Sequence, residues 1–345
     1  MALVFGDSFD HYPTADLGKK WTVQAGIVRI GLGYALSPHA TCVALLSTTS
    51  GTLEKVLAAN LTTFVAGFWF RCGTTNGAHP IFAGMDSATP ANIHVSLRHD
   101  ATGHLTLCRD ATVLATSTNT ISNDTWYHVE IKATIDDANG EYEVRVDGSA
   151  VNWVPAATGK DTRNSGNANI GSVKLYGGVN SAEPLPHFFQ DFYLLNTTGA
   201  QASDFLGPSR FAVLRPVTAG TTAEWTGNYA DNWVNVSDSI ADSDSTFNQS
   251  STAGRTDQFA MTDVPAGTIH AIQHVIFAKR DAGGARTIRP ITRIAGTDYN
   301  GATVTVAATY LFYCEPVMFS PATGGATAWD DAELNGAEMG YELVS

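Results

Sequence analysis

Residues 126–148 constrain the fold more than any other stretch of this chain. Two runs, 127–134 and 141–147, alternate apolar and polar residues on either side of Asp136-Asp137-Ala138-Asn139-Gly140. Successive side chains of a strand point to opposite faces, so Val129, Ile131 and Ala133 share one face. Tyr142, Val144 and Val146 do the same on the returning run. The opposite faces carry His128, Glu130 and Lys132, then Glu141, Glu143 and Arg145. A period of two excludes a helix and predicts a half-buried antiparallel hairpin closed at Asn139-Gly140. Its polar side is expected to be a solvated face on which Glu130, Lys132, Glu141 and Glu143 form cross-strand charge pairs.

The pattern recurs along the chain. Strand-like runs occur at 3–9, 26–30, 64–72, 94–98, 105–108, 113–116, 127–134, 141–146, 172–176 and 188–195, separated by Gly, Asn, Asp, Ser or Pro. Many short strands at even spacing predict a sandwich or barrel. With 44% hydrophobic residues the chain can bury a core, and only 15% charged residues is low for a helical enzyme. Gly207-Pro208 breaks the pattern, which places a boundary between domains 1–207 and 208–345. In the second domain strands are expected at 210–215, 233–236, 257–261, 268–278, 286–294 and 310–319. Run 268–278 is apolar on much of both faces, which predicts a central strand. Pro316 and Pro321 place the last run at an edge or bulge. Residues 329–336 are the best helical turn, with acidic residues at its start and Gly336 after its end. The fold class is therefore all-β, a large N-terminal sandwich followed by a smaller C-terminal one.

Charge excludes one class of partner. The formal net charge is −13 and the longest basic cluster, Lys279-Arg280, is a dipeptide. Without a cationic footprint, no nucleic acid is expected as a direct partner. The N-terminus lacks the basic and apolar regions of a signal peptide, and no apolar run reaches the length of a membrane span, so no membrane partner is expected. Cys42, Cys72, Cys108 and Cys314 lack Cys-x-x-Cys spacing and lie mostly in apolar runs. They read as buried free thiols of a protein made in a reducing cytoplasm.

Trp126-Tyr-His-Val ahead of a hairpin ending Val146-Asp-Gly148 resembles the laminin-G-like, concanavalin-A-like jelly roll, a fold that usually binds rather than catalyses. Asp7-Ser-Phe-Asp-His-Tyr12 resembles the first strand of such domains. Phe188-Phe-Gln-Asp-Phe-Tyr-Leu-Leu195 resembles the last, which lies beside the first in that fold. The whole order is similar to structural proteins of tailed bacteriophages and prophages, in which a lectin-like sandwich is joined to a second β domain. The residues carrying that likeness are the opening motif, Asp204-Phe-Leu-Gly, Arg210-Phe-Ala-Val-Leu-Arg-Pro216, Trp225, Trp233-Val-Asn-Val-Ser-Asp238, the run 250–259 and the run 268–273. The resemblance implies a virion component, such as a tail fibre, tail tip or capsid decoration, made in the host cytoplasm. Its implied partners are other virion proteins, copies of itself in a homo-oligomer, and a host cell-surface glycan.

The residues that could carry chemistry are few. Jelly-roll glycoside hydrolases place paired carboxylates on one strand as Glu-x-Asp-x-x-Glu or Glu-x-Asp-x-Glu. Glu141, Glu143 and Asp147 come nearest, but Asp is missing between the glutamates and Arg145 stands among them. No catalytic residue is assigned, and a glycan-active hydrolase on the same scaffold is the alternative function. Neither Gly-x-Ser-x-Gly nor His-Glu-x-x-His occurs. His270 and His274 in a strand would sit too far apart for one ion, and His94, His99 and His104 follow no consistent face. No cofactor is expected apart from the structural calcium that the jelly-roll resemblance implies, for which Asp7, Asp10 and Asp191 are the candidate ligands. Trp69 and Trp153 are the candidate carbohydrate-binding residues, in competition with a core role.

Overall fold

A computed structural model describes residues 3–31, 42–46, 51–73, 77–154, 160–178, 186–281 and 283–345. The chain divides into two compact units, one of Met1–Phe9 with Pro13–Phe211, the other of Asp10–Tyr12 with Ala212–Ser345. The sequence boundary at 207/208 thus lies four residues before the structural division.

The first unit is a two-sheet antiparallel sandwich. Its front sheet runs in the order Ser149–Ala150, Glu141–Val146, Trp126–Thr134, Thr63–Cys72, His187–Asn196, Cys42–Leu46, Ile27–Gly31, and Leu3–Asp7 also pairs with His187–Asn196. The back sheet runs Trp153–Val154, Thr112–Thr120, His104–Arg109, Ile93–His99, His79–Asp86, Ile170–Tyr176, Thr52–Leu61, Val23–Ala25. The first and last long strands lie side by side, as the jelly-roll resemblance implied. Phe64 and Phe68 from the front sheet meet Phe82 from the back, and Phe70, Phe189, Phe192 and Leu97 are sealed from solvent with them. Burying aromatic faces of this size is the main source of stability for such a layer.

The hairpin forms in the expected register: Val129 faces Val146, Ile131 faces Val144 and Ala133 faces Tyr142. Its turn differs from expectation. Asp136 Oδ1 accepts from the amides of Ala138 and Asn139 at 2.9 and 2.7 Å, so an Asx turn reverses the chain. Gly140 instead bridges to Lys160, and a Cβ there would lie 2.4 Å from the Lys160 carbonyl oxygen. The two-residue turn is Asp147-Gly148, with φ of 51° and 78°, the left-handed pair of a type I′ turn.

The second unit has a six-stranded antiparallel sheet, in the order Pro216–Ala223, Thr256–Met261, Glu338–Leu343, Thr287–Ile294, Thr297–Asn300, with Val304–Thr305 pairing the fourth. The ribbon Ile272–Ala278/Leu311–Val317 forms a layer against it: Ile276, Ala278 and Tyr313 pack on Ile288 and Leu343, while Ile272 and Val317 pack on Ile294, Trp329 and Leu334. The expected central strand at 268–278 is thus one arm of a two-stranded ribbon, apolar on both faces yet with no fully buried residue. Residues 210–215 form no strand, and in place of the strand expected at 233–236 there is a 3-10 turn at Val234–Val236. Asp257, sealed from solvent, pins the irregular stretch around residues 224–248. It accepts from the amides of Glu224 and Trp225 and from the side chains of Asn232 and Asn248. The helical turn forms at Asp331–Asn335, with Asp330 capping the Glu333 amide at 2.7 Å. Among the described residues no helix is long and apolar enough to cross a membrane.

Candidate functional site

The outward side of the front sheet is the surface where the hairpin was expected to be solvated. His128 and Glu130 there are both fully buried, which corrects that expectation. The cover is the segment 204–211, a strap across four strands. Glu130 Oε1 accepts from the amides of Leu206 (2.7 Å) and Gly207 (3.2 Å) and from the Tyr193 hydroxyl (2.5 Å). Trp69 donates its indole N–H to the Ser209 carbonyl at 2.9 Å, and the Arg210 guanidinium lies 5.6 Å from its ring centre. The Phe211 amide donates to Asp191 Oδ1 at 3.1 Å. The Arg145 guanidinium lies 4.0 Å from the Phe205 ring centre, and Lys132 pairs with Asp204 at 3.0 Å.

The sheet is shaped for this cover. The pairing of His187–Asn196 with Thr63–Cys72 shifts register between Gln190 and Tyr193, and Asp191 takes a φ of 52° there. The Tyr193 ring then lies flat across Gly67, where any Cβ would meet it at 2.1 Å. Glycine opens the path by which the hydroxyl reaches Glu130. Burial, then the Glu130 charge, push the Tyr193 phenol well above its ordinary range, so it stays a hydrogen-bond donor. His128 stands between Trp69 (ring centres 5.3 Å) and Tyr193 (6.2 Å), and burial lowers its pKa to about 4.

The expected charge pairs rearrange accordingly. Lys132 turns to Asp204, Arg145 bonds Glu143 on its own strand at 2.7 Å, and Glu130 goes to the strap. Asp147 accepts from the His128 amide at 2.8 Å. Of the carboxylates nearest to a hydrolase pattern, Asp147 and Glu143 are thus engaged within the sheet, and Glu141 is exposed.

The other predicted residues are scattered. Trp153 lies on a back-sheet edge strand and packs edge-on against Tyr142, ring centres 5.8 Å apart. Trp69 lies under the strap of the front sheet, so the two tryptophans share no platform. Asp7 is buried in an ion pair with Lys20 at 3.0 Å and also accepts from the Trp21 indole at 2.7 Å. Asp191 serves the strap, and Asp10 belongs to the other unit. Asp7 and Asp191 are thus each engaged with donors of their own unit.

What the structure does gather was not anticipated. At one end of the sandwich Cys72, His99 and His187 bring one donor atom each to within 4.8 Å of one another, and none of the three is more than 1% exposed. Burial holds the His99 pKa down to about 4. Burial, then its neighbour His99, hold His187 down to about 3, so both rings are neutral. His79 stands alongside, its ring centre 5.5 Å from that of His99. Cys42 and Cys108 are buried, as expected, and Cys314 is half-buried.

No family model matches the chain, and no curated protein matches it either. Solved structures with a similar chain course include a cellulose-induced protein, Cip1, at 14% identity and TM-score 0.39 over 59% of this chain and 93% of that one. The catalytic domain of a glycoside hydrolase family 131 protein from Coprinopsis cinerea gives 15%, 0.35, 56% and 94%. A Trypanosoma rangeli sialidase in complex with the inhibitor DANA gives 14% and 0.35 over 49% of this chain, and only 27% of that protein is spanned. Likeness this slight says nothing of activity in this chain.

Proposed function

We propose that the chain is a non-enzymatic structural component of a tailed-bacteriophage virion, a tail-fibre, tail-tip or capsid-decorating protein that works through contacts with virion proteins and with its own copies. One observation carries the non-catalytic part of this reading. The front-sheet face is filled by the chain's own strap, with Glu130 Oε1 accepting from three donors and the side chain sealed from water. A hydrolytic site needs two carboxylates converging on an open cleft, whereas this face spends its carboxylates on holding the cover. The virion assignment itself rests on the sequence resemblance.

Assembly in repeated copies is supported by what stays exposed. Val23 and Val56 at one margin of the back sheet, and Val113 and Val154 at the other, are 46–64% exposed. The ribbon of the second unit keeps apolar residues half-exposed along both strands, Val275 at 39%. Weak contacts of this kind hold when many copies repeat them. A host glycan is the further partner that the resemblance implies.

The test pairs two assays on the full chain with host-surface polysaccharide. Retention in a pull-down, or no binding, with no release of reducing ends is the expected result. Sustained release of reducing ends that is lost on Glu130→Gln would establish the hydrolase instead.

A further inference from the structure

Cys72 and His187 are directly opposite each other in the front sheet, and His79 and His99 directly opposite in the back sheet. The two pairs meet at the same end of the sandwich interior. Cys72 Sγ lies 3.7 Å from His99 Nε2, and His99 Nε2 lies 3.0 Å from His187 Nε2.

The proton positions make this meeting point unusual. His187 Nδ1 is 2.7 Å from the Tyr176 carbonyl oxygen, and His99 Nδ1 is 3.3 Å from that of Asp100. A carbonyl only accepts, so both Nδ1 atoms carry the ring proton and both Nε2 atoms present lone pairs. Those lone pairs face each other at hydrogen-bond distance with no proton between them. Moving the His99 proton to Nε2 shifts the conflict to Nδ1, whose lone pair would then meet the Asp100 carbonyl. A cation held by both nitrogens removes the repulsion and keeps both carbonyl bonds. Backbone carbonyls on the far nitrogens are the usual outer support of metal-bound imidazoles.

We propose that Cys72, His99 and His187 form a structural Zn²⁺ site that ties the front sheet to the back sheet. Tetrahedral zinc, with bonds of about 2.3 Å to sulfur and about 2.0–2.1 Å to nitrogen, sets sulfur and nitrogen roughly 3.5 Å apart and two nitrogens roughly 3.3 Å apart. The observed 3.7 and 3.0 Å lie on either side of those values. Thiolate plus imidazole is a donor set suited to zinc. Binding releases one proton, from the Cys72 thiol, while the two imidazoles bind as neutral rings. The ion enters as the sheets close, since the finished site is sealed.

The full chain is produced in minimal medium with Zn²⁺ or with Co²⁺ as the spectroscopic probe, then desalted, and its metal content is measured. The expected result is one ion per chain. The cobalt form should show a thiolate-to-metal charge-transfer band and the intense visible bands of a tetrahedral site. Cys72→Ser should abolish the charge-transfer band, and His187→Gln should weaken retention beyond the roughly 10–100-fold that loss of an outer support costs. Cys108→Ser should leave both unchanged. Unmodified chain that carries no stoichiometric metal, or a cobalt spectrum without the thiolate band, overturns the proposal, and neither reading depends on a variant that folds. A thiolate band that survives Cys72→Ser overturns it as well.

Discussion

Replacing Glu130 should unfasten the strap. Its Oε1 is the shared acceptor for the Leu206 and Gly207 amides and the Tyr193 hydroxyl. Glu130→Ala leaves all three donors without that acceptor. A buried polar group left unsatisfied costs about 1–3 kcal/mol. The Tyr193 hydroxyl, beneath the sheet cover, bears that cost in full. The two amides sit in a partly exposed segment that can peel away to water, so they fall at the low end. The sum is about 3–5 kcal/mol. Glu130→Gln keeps an acceptor of the same reach but loses its charge, and hydrogen bonds to charged groups exceed neutral ones by about 1 kcal/mol each. Over three bonds that is at most about 3 kcal/mol, and burying a neutral amide costs less than burying a carboxylate, so it should lose less than Ala and keep the strap closed. Urea unfolding measures both changes, and acrylamide quenching of tryptophan fluorescence reports whether Trp69 is uncovered. The expected order is wild type, Gln, Ala in stability, with quenching raised only in Ala. An alanine variant with wild-type stability and quenching would refute the idea that Glu130 fastens the cover.

Other perturbations test other parts of the account. Gly67→Ala drives a methyl into the Tyr193 ring; it should cost at least about 2 kcal/mol in thermal melts, and Tyr193→Leu in the same chain should recover part of the loss. Lys20→Met leaves the Asp7 carboxylate buried without its ammonium and should cost about 3 kcal/mol in urea unfolding. His128 has a folded pKa of about 4 against an ordinary 6.5, through burial. Between those values the unfolded chain binds the extra proton, so this contribution is whole above pH 6.5 and drains as pH falls toward 4, by at most about 3 kcal/mol. Unfolding of wild type and His128→Phe across that range should show a shallower fall in the variant, and equal slopes would contradict the assignment.

Sequence periodicity reached the hairpin and most strands of the first unit because each is a local pattern of alternating side chains. It missed Thr52–Leu61 and His79–Asp86, where small and polar residues interrupt the alternation. The burial of Glu130 was not legible, since the cover comes from residues some seventy-five positions later and nothing near Glu130 announces it. Gly207-Pro208 signalled a chain break but not that the break lies across the sheet. The Cys72–His99–His187 cluster was hidden for a similar reason, because its members are 27 and 88 residues apart. A weak signal was present: Cys72 and His99 end their strands, and His79 and His187 begin theirs. In the second unit, run 268–278 has the composition of a central strand, but its apolar faces serve a ribbon packed on a sheet. Alternation alone does not count a strand's neighbours.

The most direct test of the proposed function is to purify the virions and resolve them by electron microscopy. The account predicts this chain in the density as a repeated, symmetry-related subunit, its β units contacting neighbouring chains and the strap still seated over Glu130. Particles complete without the chain, together with an isolated chain that turns over polysaccharide, would contradict it.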